Sequence, residues 1–295
     1  MRTMVLDIGG TAIKSAVFEN GSLLNIRETP TEARLGGAHV TQRAISIISD
    51  YQKVFSFGRI GISTAGQVNP ETGTIIYANQ NIPGYTGTEL KAIMENTFQI
   101  STSVENDVNA AALGEAAFGA GQGEDDFACL TYGTGVGGAM VLRGELYHGS
   151  SFSAGEFGAI MTHPEEHRPE QDPFSGCYEK YASTTALVRR ASRLDPALTN
   201  GRIIFERMED PMVKTVIDGW IMEIVYGLAT ITHMMNPSCL VLGGGIMEQP
   251  YVLEQIQDRL YRSIMPSFRR VRVKKASLGN QAGMLGAATL ADRRK

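Results

Sequence analysis

Two acidic segments and three glycine-rich turns hold the residues whose types and spacing could do chemistry. Asp7 is followed by Ile8-Gly9-Gly10-Thr11, and a second run reads Glu105-Asn106-Asp107-Val108-Asn109-Ala110-Ala111-Ala112-Leu113-Gly114-Glu115. The other glycine turns are Gly133-Thr134-Gly135-Val136-Gly137-Gly138 and Leu242-Gly243-Gly244-Gly245. Glycines there let backbone amides approach phosphate oxygens closely, while Thr11 and Thr134 add hydroxyl donors. One such turn is a tight hairpin; three across one chain point to phosphate handling. No Gly-x-x-x-x-Gly-Lys-Ser/Thr loop is present, and 133–138 lies between two strands instead of opening a helix. P-loop and dinucleotide fingerprints are therefore excluded.

The charged residues leave alternatives open. Asp7 ends a strand beside a glycine turn, where it could hold Mg2+ through water, since that ion keeps several waters, or cap the turn at Gly9. Lys14 could reach a phosphate or face solvent. Asn106 or Asp107 suits a helix N-cap, but a cap needs one residue and four polar groups crowd this turn. A carboxylate at a helix start is expected to have a lowered pKa and to be ready to accept a hydroxyl proton.

The elements that position these groups follow from periodicity. Strands are expected at 3–7, 13–18 and 22–26, with Asn20-Gly21 as a hairpin turn. A similar strand, turn, strand, turn, strand unit recurs at 127–132, 139–142 and 145–148, which reads as an internal duplication. Helical spacing covers 40–51, 87–98, 108–118, 180–192, 213–235, 250–265 and 281–291. Strands at 59–63, 238–242 and 270–276 lie between helices, an α/β alternation. The polar, proline-interrupted stretch 163–175 reads as a loop.

With 295 residues the chain exceeds a usual single domain, so two domains with a ligand cleft between them are expected. Hydrophobic residues at 43% and charged ones at 20% place it among globular proteins. A net charge of -4 and a pI near 5.8 give no reason to invoke nucleic acid or a membrane surface. In the basic run of Arg269, Arg270, Arg272, Lys274 and Lys275, the alternating Val271 and Val273 mark a half-exposed strand. Cys129, Cys177 and Cys239 are odd in number and far apart, which suits reduced thiols in the cytoplasm. The N-terminus enters a strand without a signal-peptide pattern, and no apolar run nears the length of a membrane span.

On these residues the sequence resembles the ROK family of bacterial sugar kinases and repressors. The 7–11 turn, the 105–113 segment, the 133–138 turn, Gly155-Glu156-Phe157-Gly158, Gly176-Cys177-Tyr178-Glu179 and the 278–288 run match the family's motifs in order. The resemblance implies an actin-like ATPase (ribonuclease H-like) fold of two α/β domains, 1–109 with 281–295 and 110–280, and a kinase using ATP and Mg2+. It makes Asp107 the general base toward a hexose hydroxyl, the 6-hydroxyl by family habit. It assigns sugar contacts to Gly66, Asn81, Asn106, Asp107, Glu156 and Glu179. Nucleotide contacts fall to Asp7, Gly9, Gly10, Thr11, Lys14, Gly133, Thr134, Gly135, Gly137, Gly138, Gly243, Gly244 and Gly245, with Asp7 on Mg2+ through water. A homodimer is the family expectation.

Three departures stand out. Ala65 precedes Gly66 where the family has proline, and Ala139 replaces a third glycine. The zinc motif is broken: Ala159 stands at its histidine and Cys177 alone remains of its cysteines. No structural zinc is therefore expected, although His163, His167 and Cys177 offer a possible replacement set. The loss leans the substrate toward glucosides. Two other readings are a catalytically silent sugar-binding sensor, which could dispense with Asp7 or Asp107, and a repressor, which would need a winged helix ahead of the 7–11 turn.

Overall fold

The computed structural model describes residues 1–293, which fall into two compact units. The first comprises 1–123, 146–154 and the residues from 277 onward; the second comprises 124–145 and 155–276. The first unit thus extends past the division expected at residue 109.

In the first unit β1 (Thr3–Ile8) and β2 (Ala12–Glu19) pair antiparallel around the 9–11 turn, with Asp7 opposite Lys14. Asn20 and Gly21 both take positive φ, 52° and 82°, the geometry of a hairpin turn matched to strand twist. Strand β3 (Ser22–Pro30) runs to 30 because its ladder with β2 continues to the Ala12 and Pro30 pair. Helix α1 (Gly37–Gln52) buries Val40, Ala44 and Ile48 on one face, four residues apart. Strand β4 (Arg59–Thr64) lies parallel to β1. A small hairpin, β5 (Gln67–Asn69) and β6 (Thr74–Tyr77), precedes α2 (Leu90–Phe98) and β7 (Ser101–Asn106). The sheet order is β3-β2-β1-β4-β7. Helix α3 (Asp107–Phe118) leaves the end of β7 without a linker.

The second unit repeats the plan. Strands β8 (Phe127–Tyr132), β9 (Val136–Leu142) and β10 (Glu145–Leu146) form its meander. The helix expected over 180–192 is divided at Ser183, whose hydroxyl caps α5 (Thr184–Leu194) by accepting from the Ala186 amide, and α4 (Glu179–Ala182) stands before it. After α6 (Gly201–Glu206) comes α7 (Pro211–Met235), capped by Asp210. Strand β11 (Cys239–Gly243), helix α8 (Pro250–Ser263) and strand β12 (Arg272–Lys275) complete a sheet of order β10-β9-β8-β11-β12. The two sheets share one topology, as the duplication in the sequence anticipates.

Helix α7 is long and apolar enough to cross a membrane by length and composition alone. It is a core helix. Val213, Ile217, Ile221, Ile224 and Leu228 are buried, and Trp220 Nε1 donates to the carbonyls of Ala182 and Ser183. The basic β12 strand is paired: Arg272 and Lys274 meet Glu124, and Lys275 meets Glu248.

The last helix, α9 (Ala282–Arg293), returns to the first unit. It lies so close to α3 that a Cβ on Gly286 would sit 1.7 Å from the Ala110 carbonyl oxygen. Met284, Ala287 and Ala288 pack with Val5 and Ala16 beneath the sheet.

Candidate active site

At the turn from β7 to α3 the cap and the acid are different residues. Asn106 Oδ1 accepts from the Val108 and Asn109 amides at 2.9 and 3.1 Å, so Asn106 satisfies the helix N-terminus. Its Nδ2 donates to the Gly66 carbonyl and to Asp107 Oδ1, both at 2.9 Å. Asp107 begins the helix, and its Oδ1 accepts from the Val108 amide at 2.9 Å besides Asn106 Nδ2. The sequence-based expectation of a lowered pKa is corrected here. Burial, and next the charge of Asp7, push Asp107 up to about 6, outweighing its hydrogen bonds from Val108 and Asn106.

The 7–11 turn supplies the second acid. Ser63 Oγ donates to Asp7 Oδ1 at 2.7 Å, and Lys14 Nζ lies 3.7 Å from Asp7 Oδ2. Lys14 is thus paired across the hairpin. Gly283, at the start of α9, leaves room for the carboxylate: a Cβ there would lie 2.8 Å from Asp7 Oδ1. Hard oxygens from Asp7, Asp107 and Ser63 gather at the ends of β1, β7 and β4, and a carboxylate whose charge raises the pKa of its neighbour Asp107 suits a divalent cation. The set fits Mg2+ held through water.

Gly66 takes φ of 99°, and its carbonyl is the anchor for Asn106. Asn81 is exposed in the turn after β6, where its amide donates to Asn79 Oδ1. Among the described residues no hydrogen bond joins Asn81 to Asn106 or Asp107. Gly66, Asn106 and Asp107 are brought together; Asn81 is held on a separate turn.

In the second unit Gly135 permits Glu179 to lie on the glycine turn, since a Cβ there would meet Glu179 Oε2 at 2.6 Å. Glu156 precedes a short helical turn, Phe157–Ala159, that packs against β9. Gly137 and Gly138 lie inside β9, paired with Thr131 and Leu130, so the loop is shorter than the 133–138 turn read from sequence. The missing side chain of Gly138 admits Phe157 and Gly155 beside the strand, since a Cβ there would lie 2.3 Å from the Phe157 ring and 2.4 Å from the Gly155 carbonyl. Gly243 closes β11 and Gly244, with φ of 103°, crosses the Tyr132 carbonyl.

Gly133, Thr134 and Gly245 border a cavity of about 750 Å³. Its other walls include Thr184, Arg189, Asn200, Arg202 and Gln249 from α5, α6 and the loop before α8. None of these five was singled out in the sequence. They lie on helix surfaces or at helix starts, and only the packing of three segments gathers them around a pocket sized for a small ligand.

The possible replacement metal set is otherwise engaged. His163 Nε2 pairs with Glu223 at 2.8 Å and Nδ1 with Glu165 at 3.2 Å; His167 Nδ1 accompanies the Ser175 carbonyl at 2.7 Å. Tyr181 stacks on His163 at 3.8 Å between ring centres. Cys177 is buried, as are Cys129 and Cys239, and none of the three forms a disulfide. His163, Glu165 and Glu166 come close enough for an ion, but His163 is held by Glu223 and the set lacks a thiolate. These residues do not fit a tetrahedral zinc site.

The sequence matches the family model described as ROK family over residues 3–294. This chain belongs to the ROK family. A beta-glucoside kinase of Listeria innocua is 32% identical over 97% of this chain and 96% of its own. A glucokinase of Halalkalibacterium halodurans is 31% identical over 97% of this chain and 93% of its own. Among solved structures, a ROK family glucokinase from Streptomyces griseus, in complex with glucose and AMPPNP, superposes with a TM-score of 0.84. It is 30% identical and covers 99% of this chain and 100% of its own. The fold is that of the actin-like ATPases, and the ROK chain described here is a sugar kinase.

Proposed function

We propose that this ROK sugar kinase transfers the γ-phosphoryl group of ATP to the 6-hydroxyl of a hexose or a hexose β-glucoside, with Asp107 as general base. The observation that carries the reading is the division of labour at the head of α3. Asn106 caps the helix, so Asp107 is available to take the hydroxyl proton at a pKa near the working pH. The sugar oxygen then bonds to the γ-phosphorus as the bond to the bridging oxygen breaks and ADP leaves. Gly66 and Asn106 fix the base, while Asn81, Glu156 and Glu179 hydrogen-bond the other hydroxyls.

Asp7, with Ser63 beside it, would hold Mg2+ through water, and the ion neutralises charge on the phosphates when bound. Backbone amides at 9–11, 133–135 and 243–245 address the phosphates. The 750 Å³ cavity bordered by Thr134 and Gly245 would take the nucleoside end of ATP. Breaking of the zinc motif at Ala159, together with the beta-glucoside kinase among the relatives, supports a glucoside acceptor beside free glucose. The working form would be a zinc-free cytoplasmic homodimer that needs neither nucleic acid nor membrane.

Asp107→Asn tests the central claim. Turnover should fall about 100-fold or more while sugar affinity is largely kept. Near-parental turnover would return Asp107 to a structural role. A screen of free hexoses, N-acetylhexosamines and phenolic β-glucosides separates the acceptors.

A further inference from the structure

Glu105 sits directly before the Asn106-Asp107 pair and is fully buried, with 0% exposure. Its Oε1 accepts from the Asn106 amide at 2.9 Å and from Asn109 Nδ2 at 3.0 Å. The carboxylate thereby grips the turn on which Asp107 stands, from inside the fold. Its other oxygen, Oε2, meets one side chain, His148 Nε2 at 2.8 Å. That hydrogen bond to Glu105 holds the His148 ring above its ordinary pKa range against the opposing effect of burial.

His148 comes from the 146–154 segment, which follows β10 and belongs to the first unit. The segment is closed on itself by the Ala154 amide donating to the His148 carbonyl at 3.1 Å. It is tied down a second time where Ser153 Oγ donates to Gln67 Oε1 at 3.0 Å. Gln67 follows Gly66, whose carbonyl receives Asn106 Nδ2. Both ends of the strap therefore lead to the same turn, one through Glu105 and one beside Gly66. A carboxylate oxygen with no exposure is costly to leave without a hydrogen-bond partner. Without His148, Glu105 Oε2 loses the side chain that meets it inside the fold, and turning toward another donor disturbs the bonds of Oε1 to Asn106 and Asn109.

We propose that His148 is a positioning residue for phosphoryl transfer, holding Asp107 in register through Glu105 and the turn that Glu105 grips. The inference rests on the general-base reading of Asp107. It adds a residue 41 positions away in sequence that need not touch substrate. Its effect should appear in the chemical step, because a small misplacement of a reacting group costs rate far more than it costs binding.

The test compares His148→Ala, His148→Gln and Glu105→Gln in the full chain, with kcat, the KM for sugar and for ATP, and thermal midpoints. His148→Ala should lose about tenfold or more in kcat, with the KM for ATP within about twofold of parent. His148→Gln retains an N–H donor near the Nε2 position and should recover most of that loss. Glu105→Gln should lower kcat as His148→Ala does. Parental kcat in His148→Ala would overturn the proposal. So would a loss that moves kcat, both KM values and the thermal midpoint together and is not rescued by His148→Gln. The underlying reading is tested apart from this one: Asp107→Asn with parental turnover removes the base. An inactive Asp107→Asn beside a fully active His148→Ala removes only the role of His148.

Discussion

Asp107 is kept protonated toward pH 6 by its burial and, next, by the negative charge of Asp7. The two acids are 100 positions apart, yet the ends of β1 and β7 set them within electrostatic reach on one sheet. In protein free of metal and nucleotide, the Asp107 carboxyl should titrate with a midpoint about 6, and Asp7→Asn should move that midpoint downward. Carbon-detected NMR of labelled aspartate reads it. A midpoint indifferent to the Asp7 substitution would sever the coupling.

The same shift carries a stability cost with a definite sign. A carboxyl whose folded pKa is raised binds more protons folded than unfolded, so its contribution falls as pH rises from its ordinary 3.8 to about 6. Above that window the penalty is complete, at most about 3 kcal/mol at roughly 1.36 kcal/mol per unit. Asp107→Asn should therefore be more stable than parent to urea at pH 7.5, with the advantage shrinking toward pH 4. An equal or lower urea midpoint at pH 7.5 would contradict the sign.

Metal dependence should divide between two ions. Turnover should require Mg2+ or Mn2+ and should collapse in chelator or in Asp7→Ala, since Asp7 is the acid proposed to hold the ion. Purified protein should contain well below one zinc per chain, because His163 is committed to Glu223 and Glu165. Chelator should leave the thermal midpoint unchanged. Stoichiometric zinc whose removal unfolds the chain would defeat this account and favour His163, His167 and Cys177 as ligands.

Close packing of α9 on α3 makes a third kind of prediction. A methyl at Gly286 would fall 1.7 Å from one backbone oxygen, that of Ala110, and backbone cannot rotate aside as a side chain can. Gly286→Ala should cost at least about 3 kcal/mol or abolish soluble expression. A chemical melt matching the parent would show that the two helices can separate freely.

What the sequence discloses here, and what it withholds, has physical reasons. The glycine turns and the Asn106-Asp107 pair are legible because strand, turn and helix-start chemistry is local, and the Asn20-Gly21 turn announces its hairpin. Which of 106 and 107 caps the helix is not legible. Both residues can cap, and only the bonds of Asn106 to Gly66 and to the helix amides decide between them. Burial reverses the helix-end expectation for the Asp107 pKa, and burial is a tertiary property. The β5 and β6 hairpin is too short for periodicity to register, and the break at Ser183 hides within a continuous helical pattern. Arg189, Asn200, Arg202 and Gln249 become neighbours only when α5, α6 and the loop before α8 pack.

The return of α9 to the first unit has a consequence for how the protein is made. Val5 and Ala16 find their partners Met284, Ala287 and Ala288 nearly a full chain length later. At a synthesis rate of roughly 5–20 residues per second, the sheet of the first unit waits on the order of ten seconds or more for the helix that covers it. The second unit, whose sheet and helices lie within 124–276 apart from the 146–154 strap, has its whole sequence out of the ribosome earlier. During that interval the apolar underside of β1 and β4 stands uncovered on the nascent chain. Any lesion that stops translation before α9 removes the partners that Val5 and Ala16 pack against.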